Sequence, residues 1–144
     1  MKIQTKYHGE KEIQQEEVLT FSNGIPGFER EKKFVLLTFP DNNVFYVLQS
    51  VSTPDVSFVV TDPFSFFIDY HVKIDDATIE ALSIKAEADV TLLTILTVRD
   101  PFEETTANLQ APIVINKKTH SGRQVILTGT PYETRHNLFQ AKEA

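Results

Sequence analysis

The chain has 144 residues, no cysteine and a formal net charge of −6. A chain of this length suits one domain and buries about 70% of the surface its unfolded form exposes, so it needs no metal or disulfide staple. The absence of cysteine excludes a disulfide framework, a thiolate zinc site and a cysteine nucleophile together. The charge is local. Residues 41–110 hold twelve acids against three bases (Lys73, Lys85 and Arg99), residues 1–40 hold six of each, and residues 111–144 hold five bases against two acids. Phosphate contacts need Lys and Arg, so the acidic middle argues against nucleic acid. It suits a basic protein partner, whose encounter such a field speeds. No apolar stretch follows the N-terminal Met-Lys-Ile-Gln-Thr-Lys, and the most apolar runs, Phe34–Leu37, Phe64–Ile68 and Leu92–Leu96, fall far short of a membrane helix. A cytoplasmic protein with no membrane partner is expected.

In chain order, Ile3, Thr5 and Tyr7 alternate with polar residues as in a half-buried strand, and Val18–Phe21 is a second short run. Asn23-Gly24-Ile25-Pro26-Gly27 follows, the strongest turn signal in the chain, and its glycines and proline read as architectural. Phe34–Phe39 and Val44–Val51 read as strands joined by the polar turn Pro40–Asn43, a hairpin by pattern. Val56–Thr61 is the next strand, closed by Asp62-Pro63, and Pro63 belongs at an edge or turn because it cannot donate to a ladder. Tyr70, Val72 and Ile74 alternate with polar neighbours; then Asp75-Asp76 offers an N-cap for one short helix over Thr78–Ile84. Val90–Val98 suits a central strand; Thr105–Leu109, Ile113–Ile115 and Arg123–Thr128 are further short strands, and Pro112 reads as architectural. From Pro131 the chain is a tail, either a helical turn or an extended arm. The expectation is a mainly β, single-domain protein spanning residues 1–144: a small antiparallel barrel or sandwich with one short helix.

Reaction chemistry is hard to find. His8, His71, His120 and His136 show no metal-ligand spacing, and a zinc site needs three or four converging ligands. Asp75-Asp76 and Glu103-Glu104 are adjacent acids in polar turns, whereas acid/base work needs two carboxylates in unlike environments. No nucleophile elbow and no phosphate-cradling glycine loop occurs. The expectation is a protein that is not an enzyme and carries no cofactor. The alternatives are a small carboxylate-dependent enzyme with an acid pair in a barrel mouth, and a nucleic-acid-binding β-barrel. The second lacks a basic groove, since only Lys117, Lys118, Arg123 and Arg135 cluster.

The aromatics are more informative. Asp62-Pro63-Phe64-Ser65-Phe66-Phe67-Ile68-Asp69-Tyr70 packs its rings between acids, and Phe102 sits on an acidic loop with Asp100, Glu103 and Glu104. Exposed aromatics rimmed by charge are typical of protein-binding surfaces. The candidate partner-binding residues are Asp62, Phe64, Phe66, Phe67, Tyr70, Asp100, Phe102, Glu103 and Glu104. The competing reading is core packing for the aromatics and plain solvation for the acids.

The motifs also succeed one another in a specific order. Phe21-Ser22-Asn23-Gly24-Ile25-Pro26-Gly27-Phe28-Glu29 comes first, then Val47–Val51, Phe58–Pro63 and Tyr70. Asn108-Leu109-Gln110-Ala111-Pro112-Ile113-Val114-Ile115-Asn116 and Gly122–Leu127 complete the series. From about residue 2 to residue 138 the chain resembles the bacterial flagellar assembly factor family FliW. The resemblance implies a small, incompletely closed β-barrel and a cytoplasmic, chaperone-like regulator of flagellum biogenesis. It implies two protein partners, flagellin and the translational repressor CsrA. In that family role CsrA is antagonised allosterically, so that flagellin translation proceeds. Accumulating flagellin then takes the antagonist away and repression returns. The resemblance carries no contact map, so the candidate residues above rest on the physical reading alone.

Overall fold

The computed structural model describes residues 1–139. It is mainly β, with a single short α-helix among the described residues. The strands are β1 (Lys2–Gln4), β2 (Glu10–Glu12), β3 (Leu19–Thr20), β4 (Lys33–Phe39), β5 (Asn42–Ser50), β6 (Ser57–Thr61), β7 (Val90–Thr97), β8 (Thr106–Ala107), β9 (Ile113–Asn116), β10 (Ser121–Gln124) and β11 (His136–Asn137). The helix α1 spans Asp76–Ala81.

One sheet closes on itself by hydrogen bonds. From β3 it runs through β4, β5, β6, β7, β9 and β10 and back to β3, with β8 and β11 continuing alongside β7. The seams are unequal. β4 and β5 pair along most of their length, but β6 meets β7 only through Val60↔Ile95 and Thr61↔Thr94. β3 meets β10 through the single pair Thr20↔Ser121, and that pair is parallel where the pattern predicts an antiparallel sheet throughout. The remaining strand pairs among the described residues are antiparallel.

The interior of the ring is filled by Leu19, Phe21, Ile25, Phe34, Leu48, Val60, Leu93, Ile113 and Ile115. The outer faces are covered as well. The β1–β2 hairpin lays Ile3 and Ile13 on Val35, Leu37 and Val47. Residues 62–72 and the C-terminal stretch cover the outside of β5–β7, with Tyr70, Leu96, Ala107, Leu109 and Leu138 buried. Leu82, at the end of α1, packs with Val114 and Val125. Strands covered on both faces read as continuous apolar runs rather than alternating ones, which explains Phe34–Leu37 and Leu92–Leu96.

Local chemistry sets several boundaries. Asp75 caps α1, its carboxylate accepting from Thr78 N–H at 3.2 Å and Thr78 Oγ1 at 2.7 Å, and this bonding holds the Asp75 carboxyl below its ordinary value. The helix therefore starts two residues before the expected Thr78 and ends sooner. Gly24 has φ +66°, and a Cβ there would lie 2.6 Å from Glu29 Cα, so the turn admits no side chain. Gly122 answers a different need: a Cβ would sit 2.5 Å from the Phe21 ring beneath β10.

Some expected elements shift. The Tyr70–Ile74 alternation is extended chain without a ladder, and β10 occupies Ser121–Gln124 instead of Arg123–Thr128. β-branched residues favour a strand at 125–128, but Pro112 lies opposite Val125 and has no N–H to return the bond, so the ladder stops at Gln124. Val125 N–H instead donates to Pro112 O, and Leu127 N–H to Gln110 O. The tail is the extended arm, with His136 and Asn137 paired to Ala107 and Thr106. Residues 140–144 of that predicted tail lie outside the described residues.

Candidate protein-binding surface

Two candidate segments far apart in sequence meet on the outside of β5. Asp62 follows β6 and caps a short 3₁₀ turn at Pro63–Ser65, its Oδ1 accepting from Phe64 N–H at 2.9 Å. Phe66 and Phe67 N–H both donate to Pro63 O, which curls the chain back toward the sheet. The second segment leaves β7 at Thr97 and passes through Asp100 and a cis peptide to Pro101 into a 3₁₀ turn at Phe102–Glu104. Arg99 N–H donates to Thr105 Oγ1 at 3.0 Å and closes this loop. Leu138 N–H donates to Thr105 O at 3.0 Å and brings the end of β11 beside it.

The result is a cluster of four phenylalanines. Phe45 of β5 lies 5.9 Å from Phe66 and 5.5 Å from Phe102, between ring centroids. Phe139 lies 5.9 Å from Phe66 and 5.4 Å from Phe102. Three of the four contacts are edge-on, the geometry that aromatic quadrupoles favour. Phe102 and Phe139 each keep 39% of their surface exposed. Asp100, Glu103 and Glu104 are exposed on the same loop. An apolar cluster that remains partly open and is rimmed by carboxylates matches a protein-binding surface in composition.

The other candidates separate. Phe67 is half-buried and packs edge-on to His136 at 6.2 Å. Phe64, 42% exposed, turns from the cluster and lines an open groove of about 1080 Å³ together with Asp62. Tyr70 is only 5% exposed, the core packing weighed against partner contact for the aromatics. Its hydroxyl donates to Leu109 O at 2.6 Å, and its ring stands edge-on to Tyr132 at 4.7 Å. Burial, and secondarily the neighbouring Tyr132, pushes the Tyr70 phenol above its ordinary range. Tyr70 anchors the 62–70 segment.

Phe45 and Phe139 escaped the sequence reading. Phe45 sits in a strand pattern where every apolar residue reads as core, and Phe139 lies in a tail without periodicity. Only their partners' positions reveal them. Asp62 and Glu87, the carboxylates lining the groove, are both exposed. They share solvent rather than the unlike environments that acid/base chemistry requires.

Comparison with known proteins places the chain. The family model described as "FliW protein" matches residues 2–138. The chain is 56% identical over 144 residues to the flagellar assembly factor FliW of Geobacillus kaustophilus (strain HTA426), covering 100% of this chain and 99% of the relative. It is 45% identical over 138 residues to the flagellar assembly factor FliW of Bacillus subtilis (strain 168), covering 96% of each. A solved structure described as the crystal structure of the flagellar assembly factor FliW superposes with a TM-score of 0.94 at 54% identity, covering 99% of both chains. With its ringed sheet, its single short helix among the described residues, and matches in sequence and fold that cover nearly the whole chain, this chain belongs to the FliW family of flagellar assembly factors.

Proposed function

We propose that this flagellar assembly factor acts in the cytoplasm by binding two proteins, CsrA and flagellin, with no catalysis and no direct contact with nucleic acid. Bound to CsrA it relieves translational repression allosterically, and flagellin withdraws it as flagellin accumulates. The observation that carries the surface assignment is the acid-rimmed cluster of Phe45, Phe66, Phe102 and Phe139, built where two segments of the acidic middle of the chain converge. An RNA-binding repressor must present Lys and Arg, and Asp62, Asp100, Glu103 and Glu104 supply the opposite charge. Phe64, Phe66, Phe67 and Phe102 supply the apolar contact, with Tyr70 holding their segment in place.

The test is a titration of the purified chain into CsrA bound to labelled RNA. RNA release at micromolar chain, not reversed by excess RNA and reversed by added flagellin, is expected. Absence of a complex when both proteins are micromolar would falsify the reading.

A further inference from the structure

The short seam between β6 and β7 leaves a strand edge open. β6 stops at Thr61 because Pro63 cannot donate to a ladder and its carbonyl is taken by Phe66 and Phe67 N–H. β7 continues past that point: Val90–Leu93 pair with β9 on one side and meet no strand on the other. Backbone groups of successive residues in a strand point alternately to its two sides. Lys117 N–H donates to Asp89 O, and Asn108 N–H donates to Ile95 O, so the odd-numbered residues face β9 and β8. Val90, Leu92 and Thr94 therefore face the β6 side. Thr94 meets Thr61 there, and Val90 N–H is taken by Glu87 O. Leu92 N–H and C=O and Val90 C=O point to the gap, and none meets a protein partner among the described residues.

The gap is the 1080 Å³ groove, and Val90, Thr91, Leu92 and Leu93 all line it. Neighbouring residues of a strand present opposite faces, so both faces border one groove only where that groove follows the strand's edge. Leu36 of the interior shows on one side, and Ile74 of the outer cover on the other. Lys73 and Lys85, two of the three bases in the acidic middle, stand exposed on the rim and make no ion pair among the described residues. Of the two acids there, Asp62 already accepts from Phe64 N–H, and Glu87 stands two residues from Lys85.

We infer that this groove is a strand-addition site: an extended segment of a partner protein, apolar at alternate positions and acidic at its flanks, pairs its backbone with Val90 and Leu92 of β7 and fills the unpaired stretch of the ring. A helical occupant would leave the Leu92 amide unbonded in an apolar cleft, whereas an added strand satisfies it and places alternate side chains toward the interior and the outer cover. Lys73 and Lys85 meet the acidic flanks. The groove shares Asp62 and Phe64 with the residues proposed to meet CsrA, but strand addition rests on the β7 backbone and not on the cluster of Phe45, Phe66, Phe102 and Phe139.

The test uses the full chain, isotope-labelled, and one probe: a blocked seven-residue peptide of alternating valine and threonine with glutamate at each end. In the free chain the Leu92 amide should exchange with solvent at least roughly tenfold faster than those of Thr91 and Leu93, which face β9. Millimolar peptide should slow Leu92 exchange saturably. The same peptide N-methylated at the bonds facing β7 should lose at least about tenfold in affinity. Joint Lys73→Glu and Lys85→Glu replacement should weaken the unmodified peptide roughly threefold or more at low salt. Phe102→Ala should leave peptide binding unchanged. The inference is overturned if Leu92 is protected as fully as Leu93 in the free chain, or if the peptide leaves Leu92 unaffected at millimolar concentration. Equal binding of the N-methylated peptide, or protection of Leu92 by an amphipathic helical peptide alone, would also overturn it.

Discussion

The phenylalanine cluster and the groove beside β7 share one chain segment and offer different chemistry. Residues 62–74 contribute Phe66 to the cluster and Phe64, Val72 and Ile74 to the groove. In the cluster, rings satisfy one another and carboxylates surround them, so recognition is by side chains. In the groove, backbone groups lie unpaired among the described residues along an apolar wall, so the inferred recognition is by main chain, with Lys73 and Lys85 at the rim. The lesson concerns specificity. An aromatic patch selects a partner's shape and charge, whereas an open strand edge selects a partner's conformation and is more tolerant of its sequence.

Three variants break or sharpen this contrast. The largest effect is expected from Phe102→Ala. It removes a central ring of the cluster at a position 39% exposed, so the fold should persist while CsrA binding weakens by about 2 kcal/mol or more, roughly thirtyfold. Calorimetric titration with CsrA checks it, and an unchanged affinity removes the cluster from the interface.

Tyr70→Phe comes next and touches both regions, because Tyr70 anchors the segment they share. Leaving the buried Leu109 carbonyl without its donor should cost about 1–3 kcal/mol of stability, read by denaturant unfolding. The same residue sets an alkaline limit. Its phenol is raised in the folded chain, so the folded state binds the proton more tightly than the unfolded one. That contribution is complete below the unfolded value of about 10 and is lost as pH rises beyond it. Wild-type stability should decline above about pH 10 more steeply than that of Tyr70→Phe. Parallel curves would show that Tyr70 does not control the decline.

The smallest effect is expected from joint Glu103→Lys and Glu104→Lys replacement. On the proposed function these exposed charges would steer encounter rather than hold the complex. The association rate with CsrA should therefore fall several-fold at low salt and converge with wild type at high salt, while the dissociation rate changes little. Stopped-flow mixing at two ionic strengths separates these outcomes, and the groove peptide should be indifferent to the change.

Much of the architecture is legible residue by residue. The Gly24 turn, the Asp75 cap, the Pro40–Asn43 hairpin and the strand termination at Pro63 are local events, each governed by a φ value, a missing N–H or a carboxylate near free amides. Strand ends were harder where the partner strand determined them. β10 stops at Gln124 because Pro112, opposite Val125, has no N–H to return the bond, although Val125 and Ile126 would extend it by composition. The charged β2 had no apolar signal at all, and it forms because Lys2–Gln4 lies opposite. The candidate surface was half legible. Phe66 and Phe102 stood out as aromatics among acids, but Tyr70 looked the same and is buried. A string of residues gives composition and not the side of the chain that a covering segment will occupy.

The acidic middle of the chain therefore contains two different places. By itself the sequence determined that the chain is mainly β and needs no staple, that its acids concentrate in residues 41–110, and that its motifs follow the order of one family. These follow from length, periodicity and residue type, which are local or additive properties. Only the tertiary structure decided that Phe45 and Phe139 join Phe66 and Phe102, that Tyr70 points inward, and that β7 outruns β6 and leaves the Leu92 backbone without a partner among the described residues. Those outcomes depend on which strands become neighbours and in what register, and one short seam, two pairs long between β6 and β7, makes the difference between a closed wall and an open edge.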